Sequence, residues 1–171
     1  GTLDQSREPH KWLDCFAGGG SLEGHRVIVL SRPDLRLQAR YQNFSNIVFR
    51  GEVAPGQVDN YLSQCRFAIN YQPDKAPFNQ QPSAKLLTYV AGRIPVISTD
   101  YAWIREFQQQ FGGRYFFLNP TLSNFTWENL ENFSFEFPVL DQWSFRAQLK
   151  RSGVCNFLAE KTGRPELAII E

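Results

Sequence analysis

The chain has no methionine, three cysteines and two histidines in 171 residues. These shortages exclude several chemistries. Cys15, Cys65 and Cys155 are far apart, odd in number and without a C-x2-C spacing, so neither a zinc knuckle nor a disulfide framework is indicated. Reduced thiols packed as small hydrophobes are expected instead. His10 and His25 have no partner at triad or metal spacing, and no metal site is expected. An excess of charge is missing too. With 18 Lys and Arg against 17 Asp and Glu, the net charge is +1, which gives no strong field directed at nucleic acid or an anionic membrane surface. No apolar run approaches the roughly 20 residues that span a bilayer, and no secretory signal is visible. Sequons at Asn43, Asn124 and Asn132 are ascribed to chance in an Asn-rich chain. G-x-S-x-G, a Walker lysine loop and G-x-G-x-x-G are all absent. The triplet of glycines at 18–20 is not followed by a helix in dinucleotide-binding register and is read as a turn. With no methionine and Gly1 in first place, the chain is expected to be an excised domain or to lack an upstream half.

What is present is an alternation. Near-continuous apolar runs at 26–30 (RVIVL), 46–50 (NIVFR), 67–71 (FAINY), 94–98 (IPVIS) and 115–118 (YFFL) are the pattern of parallel strands buried on both faces. Residues 1–4 read as the stub of an earlier strand. Helical spacing occurs between these runs: Trp12, Leu13 and Phe16 in 8–17; Val58, Tyr61, Leu62 and Cys65 in 57–65; Ile104, Phe107 and Phe111 in 101–111, with Asp100 as its expected cap. The class is therefore α/β, a Rossmann-like doubly wound parallel sheet with helices on both faces. Residues 1–171 are expected to form a single domain. Residues 119–171 are its less regular part, with a short helix at 126–131 and a final helix at 142–161 carrying Phe145, Leu149 and Phe157.

In an open α/β sheet, ligands bind beyond the carboxyl ends of the strands. Three loops lie there: 4–11, 72–82 and the one at Ser98, Thr99 and Asp100. The second is longer than the usual two to six residues. It delivers Pro82 and Ser83 to the first turn of a helix whose free N–H groups and positive dipole end suit a phosphate. Lys85 adds a charge one turn in. Lys85 and Thr88 share the polar face, and Leu86, Leu87, Val90 and Ala91 the apolar one, with Gly92 closing the helix. Read from the residues alone, Lys85, Arg7 and Lys11 fit a ligand site or ordinary surface charge.

Three blocks of the chain resemble the C-terminal, donor-binding domain of GT-B-fold glycosyltransferases, up to about residue 118. The opening 1–16, GTLDQSREPHKWLDCF, is similar to that domain's G-x-L-x-x-x-K start. Residues 47–73 are similar to its passage of strand, glycine, short loop, helix and strand. Residues 83–99, SAKLLTYVAGRIPVIST, are similar to its K-L-x-E-Y-x-A-x-G-x-P-V-I-x-T segment. The resemblance implies that Arg7, Ser83 and Lys85 hold the donor pyrophosphate and that Gly51 lies in the loop approaching the base. Gln80 and Thr88 stand at the ribose or sugar positions, where retaining members carry glutamates; Arg93 stands where the family has glycine. It further implies a cytoplasmic protein, or one peripheral to the inner membrane. Such a protein uses a nucleotide-sugar as substrate, needs no cofactor, and transfers sugar to a glycan or lipid-linked acceptor held by a missing N-terminal domain. Without that domain the chain is expected to bind donor and not turn over. A non-catalytic nucleotide- or sugar-binding module of the same fold, or a regulatory domain with no small ligand, are the other readings.

Overall fold

The computed structural model describes residues 3, 5–32, 34–141 and 144–168. All five expected strands form, slightly trimmed: β1 (Val27–Val29), β2 (Ile47–Phe49), β3 (Ala68–Asn70), β4 (Val96–Thr99) and β5 (Phe116–Leu118). Every pairing is parallel. β1 pairs with β2, while β4 lies between β3 and β5. The protein is thus α/β with two small parallel sheets among the described residues. Of the expected stub at 1–4, only Leu3 lies within them, and it packs against the core.

The helices follow local chemistry. α1 (Pro9–Leu13) has proline in its first turn and ends in one tight turn, Asp14–Phe16. α2 (Leu35–Tyr41), which is not among the expected helices, is capped by the Asp34 carboxylate accepting from the Arg36 and Leu37 N–H groups. α3 (Pro55–Leu62) again opens on proline. α4 (Ala84–Ala91) is capped by Ser83, and α6 (Trp127–Asn132) by Thr126. α5 (Ala102–Phe111) departs from expectation. Its cap residue is Tyr101, whose side chain makes no capping bond. Asp100 is not free to cap because its two carboxylate oxygens accept from Arg105 Nε and Nη2, at 2.6 and 2.5 Å. The single helix expected at 142–161 is two, α7 (Phe145–Ser152) and α8 (Val154–Thr162), because Gly153 turns left-handed at φ 67 and ends the first; residues 142 and 143 lie outside the described residues.

The chain divides into two compact units, Gly1–Phe137 and Pro138–Glu171. In the first, one buried cluster joins Leu13, Phe16 and Leu22 to Val27, Val29 and Ile47 of the two-stranded sheet and to Ile97 and Phe116 of the three-stranded one. Ile97 points into that cluster. Its neighbour Val96 is buried outside it, as are Leu86 and Val90 of α4 and Ile104 and Phe107 of α5. This two-sided burial is what an apolar central strand predicts. The Phe-rich segment after β5 closes back on the core. Phe125 is fully buried, the Phe133 ring meets Phe116 edge-on at 5.3 Å, and Arg114 and Glu136 form an antiparallel bridge. No helix among the described residues is long and apolar enough to cross a membrane.

The glycines at 18–20 form the expected turn. A Cβ at Gly20 would sit 2.5 Å from the Asp14 carbonyl oxygen and closer still to that of Cys15. Backbone cannot yield there as a side chain can. Gly20→Ala is expected to lower unfolding free energy by about 1–3 kcal/mol, read from urea midpoints. Gly19→Ala meets no neighbour within 4 Å and loses only what its left-handed φ demands.

Candidate functional site

The carboxyl ends of β3 and β4 are tied together by polar groups in an otherwise apolar region. Asn70 and Ser98 are fully buried, and Ser83 nearly so. Asn70 Nδ2 donates to Ser98 Oγ at 3.0 Å and to Tyr101 Oη at 3.2 Å, and Ser98 Oγ donates to the Asn70 carbonyl at 3.0 Å. One residue on, Thr99 Oγ1 accepts from the Gln72 N–H at 2.9 Å and donates to the Gln72 carbonyl at 2.8 Å. The Ser83 hydroxyl donates to Asn70 Oδ1 at 2.6 Å while accepting from the Leu86 N–H at 3.3 Å. A side chain expected at a phosphate therefore serves the helix cap and this network. Its carbonyl takes the Leu87 N–H, so the N–H groups of Ala84 and Lys85 are those α4 offers to a ligand.

Lys85 feels the charge of Arg7 at this end. Lys85 is half-buried and makes no hydrogen bond or ion pair among the described residues. Burial, with the positive charge of Arg7 second, pushes its ammonium down to about 8. The Arg7 guanidinium sits 4.8 Å from the Phe78 ring centroid and donates to Gln72 Oε1 at 3.4 Å. Phe78 belongs to a single tight turn, Phe78–Gln80, within the long loop. Residues 65 or more apart in sequence thus converge where the strands end. Gln80 is exposed at the close of that turn. Thr88 is exposed too, but its hydroxyl donates to the Ala84 carbonyl of its own helix at 3.0 Å. Gly51 follows β2 with φ 74, a conformation suited to glycine. It lies at the end of the other sheet, and no hydrogen bond among the described residues joins it to the Lys85 group. Arg93, in the position the family resemblance gives to glycine, is itself left-handed at φ 53.

Sequence reasoning missed Glu8. It is the left-handed residue before α1, at φ 49, and its carboxylate meets Lys11 at 2.7 Å and Lys75 at 3.2 Å. The Lys11 hydrogen bond leads in holding the carboxyl below its usual range, against a smaller opposing effect of burial. Glu8 thereby ties the long loop to the start of α1. Lys11, left open by the sequence, is engaged in that pair, which also raises its own proton affinity. The signal for this contact was weak, since only proximity in the fold relates residues 8 and 75. A cavity of about 370 Å³ lies alongside, between the N-terminal turns of α1 and α2. It is lined by Glu8, His10, Asp34, Arg36 and Arg40 among others, and by neither Arg7 nor Lys85. Several of its charges are already satisfied: Asp34 caps α2, and Arg40 pairs with Asp14 at 2.8 Å. No group of three His, Cys, Asp or Glu among the described residues could hold a metal ion.

No family model matches the chain, and no curated protein or solved structure matches it significantly.

A half-buried lysine with a guanidinium acting on its charge leaves a mark on stability. Unfolded Lys85 keeps its proton up to the ordinary value of 10.5, whereas the folded chain releases it at about 8. Between those limits the unfolded state binds more protons, so stability rises with pH. Above pH 10 the trend reverses, because Tyr89, raised to about 12 by burial, keeps its proton longer when folded. The urea midpoint is expected to rise between pH 7.5 and 8.5, as the Lys85 value requires. In Lys85→Met, which keeps the stem and removes the charge, that rise should be lost, and the midpoint should fall as pH passes 9, because burial pushes the Cys15 and Cys65 thiols up and the folded chain keeps their protons longer.

Proposed function

We propose that this chain is the nucleotide-sugar-binding half of a GT-B-fold glycosyltransferase, cytoplasmic or peripheral to the inner membrane, whose acceptor is a glycan or lipid-linked sugar held by another domain. The finer architecture, one doubly wound sheet, belongs to this proposal; a further strand between β1 and β3 would join the two sheets. One observation carries the reading. Lys85 stands in the first turn of α4, beyond the carboxyl ends of β3 and β4, where the Arg7 charge acts on it, and it has no carboxylate partner among the described residues. Helix dipole, free N–H groups and two cations all favour an anion at one place. A pyrophosphate bridging the two side chains removes their mutual repulsion.

The chemistry follows from charge. Breaking the bond between sugar and nucleoside diphosphate builds negative charge on the departing phosphate oxygen. Lys85, Arg7 and the N–H groups of Ala84 and Lys85 are fixed where that charge develops, and stabilise it without reorganising. Phe78, packed on the Arg7 guanidinium, orients it. Gln80 lies close by in sequence and space for hydroxyls of the ribose or sugar, and Gly51 stands in the loop assigned to the base. In this reading the acceptor and any general base come from another domain, and these residues bind donor without turnover.

A second reading, a non-catalytic nucleotide- or sugar-binding module of this fold, is favoured by a specific feature. Neither Gln80 nor Thr88 is a carboxylate, and the Thr88 hydroxyl is bonded back to Ala84. Both readings share the anion site. Calorimetric titration with UDP, GDP, ADP and CMP tests it. At least one should bind, and Lys85→Ala should weaken that binding by roughly 10- to 100-fold, the loss of one charge-assisted contact of about 1.5–3 kcal/mol. Equal binding by Lys85→Ala and parent contradicts the assignment. Transfer activity on addition of an acceptor domain separates the enzyme from the module.

A further inference from the structure

Two adjacent residues before α1 grip the long loop after β3. Arg7 donates to Gln72 Oε1 at 3.4 Å and lies over the Phe78 ring. Glu8 takes the Lys75 ammonium at 3.2 Å on one carboxylate oxygen and the Lys11 ammonium at 2.7 Å on the other. Burial raises the proton affinity of the Tyr71 hydroxyl, and the Lys11 and Glu8 charges also act on it. Tyr71 directly follows β3, so this cluster stands at the carboxyl end of that strand. Two lysines at this end of the sheet differ in what answers them. Lys85 has no carboxylate partner among the described residues. Lys75 has Glu8.

The two bonds of Glu8 are unequal. Lys11 is three residues away on α1 and makes the shorter bond. The Lys75 bond joins segments 67 residues apart, and the Lys75 side chain is 44% exposed. An exposed pair of this kind is worth little, so a ligand carrying several negative charges can displace the carboxylate from it. Two further features mark the present arrangement as one the loop can leave. Glu8 holds a left-handed backbone at φ 49, which is unfavourable for a residue with a side chain. Asn79, in the tight turn of the same loop, donates to Asp74 Oδ1 at 3.1 Å, but its own Oδ1 is covered and meets no donor among the described residues. The loop thus leaves an acceptor unmet.

We propose that Glu8 is a built-in competitor of the ligand diphosphate: without ligand it holds Lys75, and a bound diphosphate takes that lysine over and draws loop 72–82 with it. The proposal rests on the anion site of the proposed function, and adds Lys75 to it as a ligand-binding residue gated by Glu8. The flexible four-carbon stem of Lys75 lets the ammonium change partners while the loop backbone follows. Lys11 keeps Glu8 paired after the exchange, so the carboxylate is not left as an isolated charge. Arg7 stays on Phe78 and Gln72, which keeps the loop attached at its other contacts.

Calorimetric titration with inorganic pyrophosphate tests it in four proteins: parent, Glu8→Gln, Lys75→Gln and the double variant. Glu8→Gln keeps the shape and removes the charge, and should bind about three- to fivefold more tightly, the worth of an exposed ion pair. Lys75→Gln should bind roughly three- to tenfold more weakly than the parent. In the double variant the gain from Glu8→Gln should vanish, because no lysine is left to release. A gain of the same size with and without Lys75 means that Glu8 only repels the anion through space, and overturns the proposal. Hydrogen exchange gives a second readout. Amides of 72–82 should exchange faster in Glu8→Gln than in the parent before ligand is added, and pyrophosphate should slow them in the parent. Exchange unchanged in both comparisons overturns the proposal. Pyrophosphate bound by none of the four proteins overturns the anion site and this proposal together. Pyrophosphate bound equally by Lys75→Gln and the parent overturns this proposal alone.

Discussion

Asn70 is the constraint on which the candidate site depends. It is an amide buried at the end of a strand, with its oxygen bonded to Ser83 and its nitrogen to Ser98 and Tyr101. A buried amide that lost one partner would cost about 1–3 kcal/mol. The four residues are therefore held in one relative arrangement. That arrangement fixes the end of β3 against β4, the first turn of α4 against β3, and the start of α5 against both. The position of Lys85, two residues beyond Ser83, is a consequence. The network is fully partnered among these groups, the condition under which buried polar contacts add rigidity rather than weakness.

What this rigidity supports is a lysine whose charged form is opposed by burial and by the Arg7 charge. Several cations in the first unit are answered: Lys11 and Lys75 by Glu8, Arg40 by Asp14, Arg66 by Glu131, Arg105 by Asp100. Those pairs are substantially exposed and individually worth little. Lys85 is set apart by having both less solvent and a guanidinium as its charged neighbour. Its repulsion with Arg7 persists because surrounding packing fixes both stems: Leu86, buried beside Lys85 in sequence, holds α4 to the sheet, and Phe78 covers Arg7. In the proposed function a bound anion offsets that opposition at the carboxyl edge of the parallel sheet.

The strands were legible because each is apolar on both faces, and Val96 and Ile97 show why, one buried on either side of β4. Helices at 57–65 and 101–111 were legible from period. α2 was not. Its two buried residues, Leu37 and Tyr41, are one turn apart in a stretch otherwise polar, and the informative signal was the cap at Asp34. Asp100 was misassigned as a cap because sequence cannot show that Arg105 would claim its carboxylate. The break at Gly153 was hidden because a glycine within a helical pattern either continues the helix at a cost or turns left-handed, and only tertiary context chooses. At the site, Lys85 and Arg7 were legible from loop position and family resemblance. Asn70 is hidden within an apolar run, and the bridge from Glu8 to Lys75 relates residues that no local pattern connects.

The titration of Lys85 tests the central claim most directly. The resonance of its side-chain nitrogen, followed by NMR in the free chain, should report deprotonation near 8. When the best-binding nucleoside diphosphate is added to saturation, the midpoint should move upward, toward or beyond the ordinary lysine value of about 10.4. The anion then stabilises the charged form that Arg7 and burial oppose. A midpoint that is already ordinary in the free chain, or one that stays unchanged when the nucleotide binds, would contradict the account.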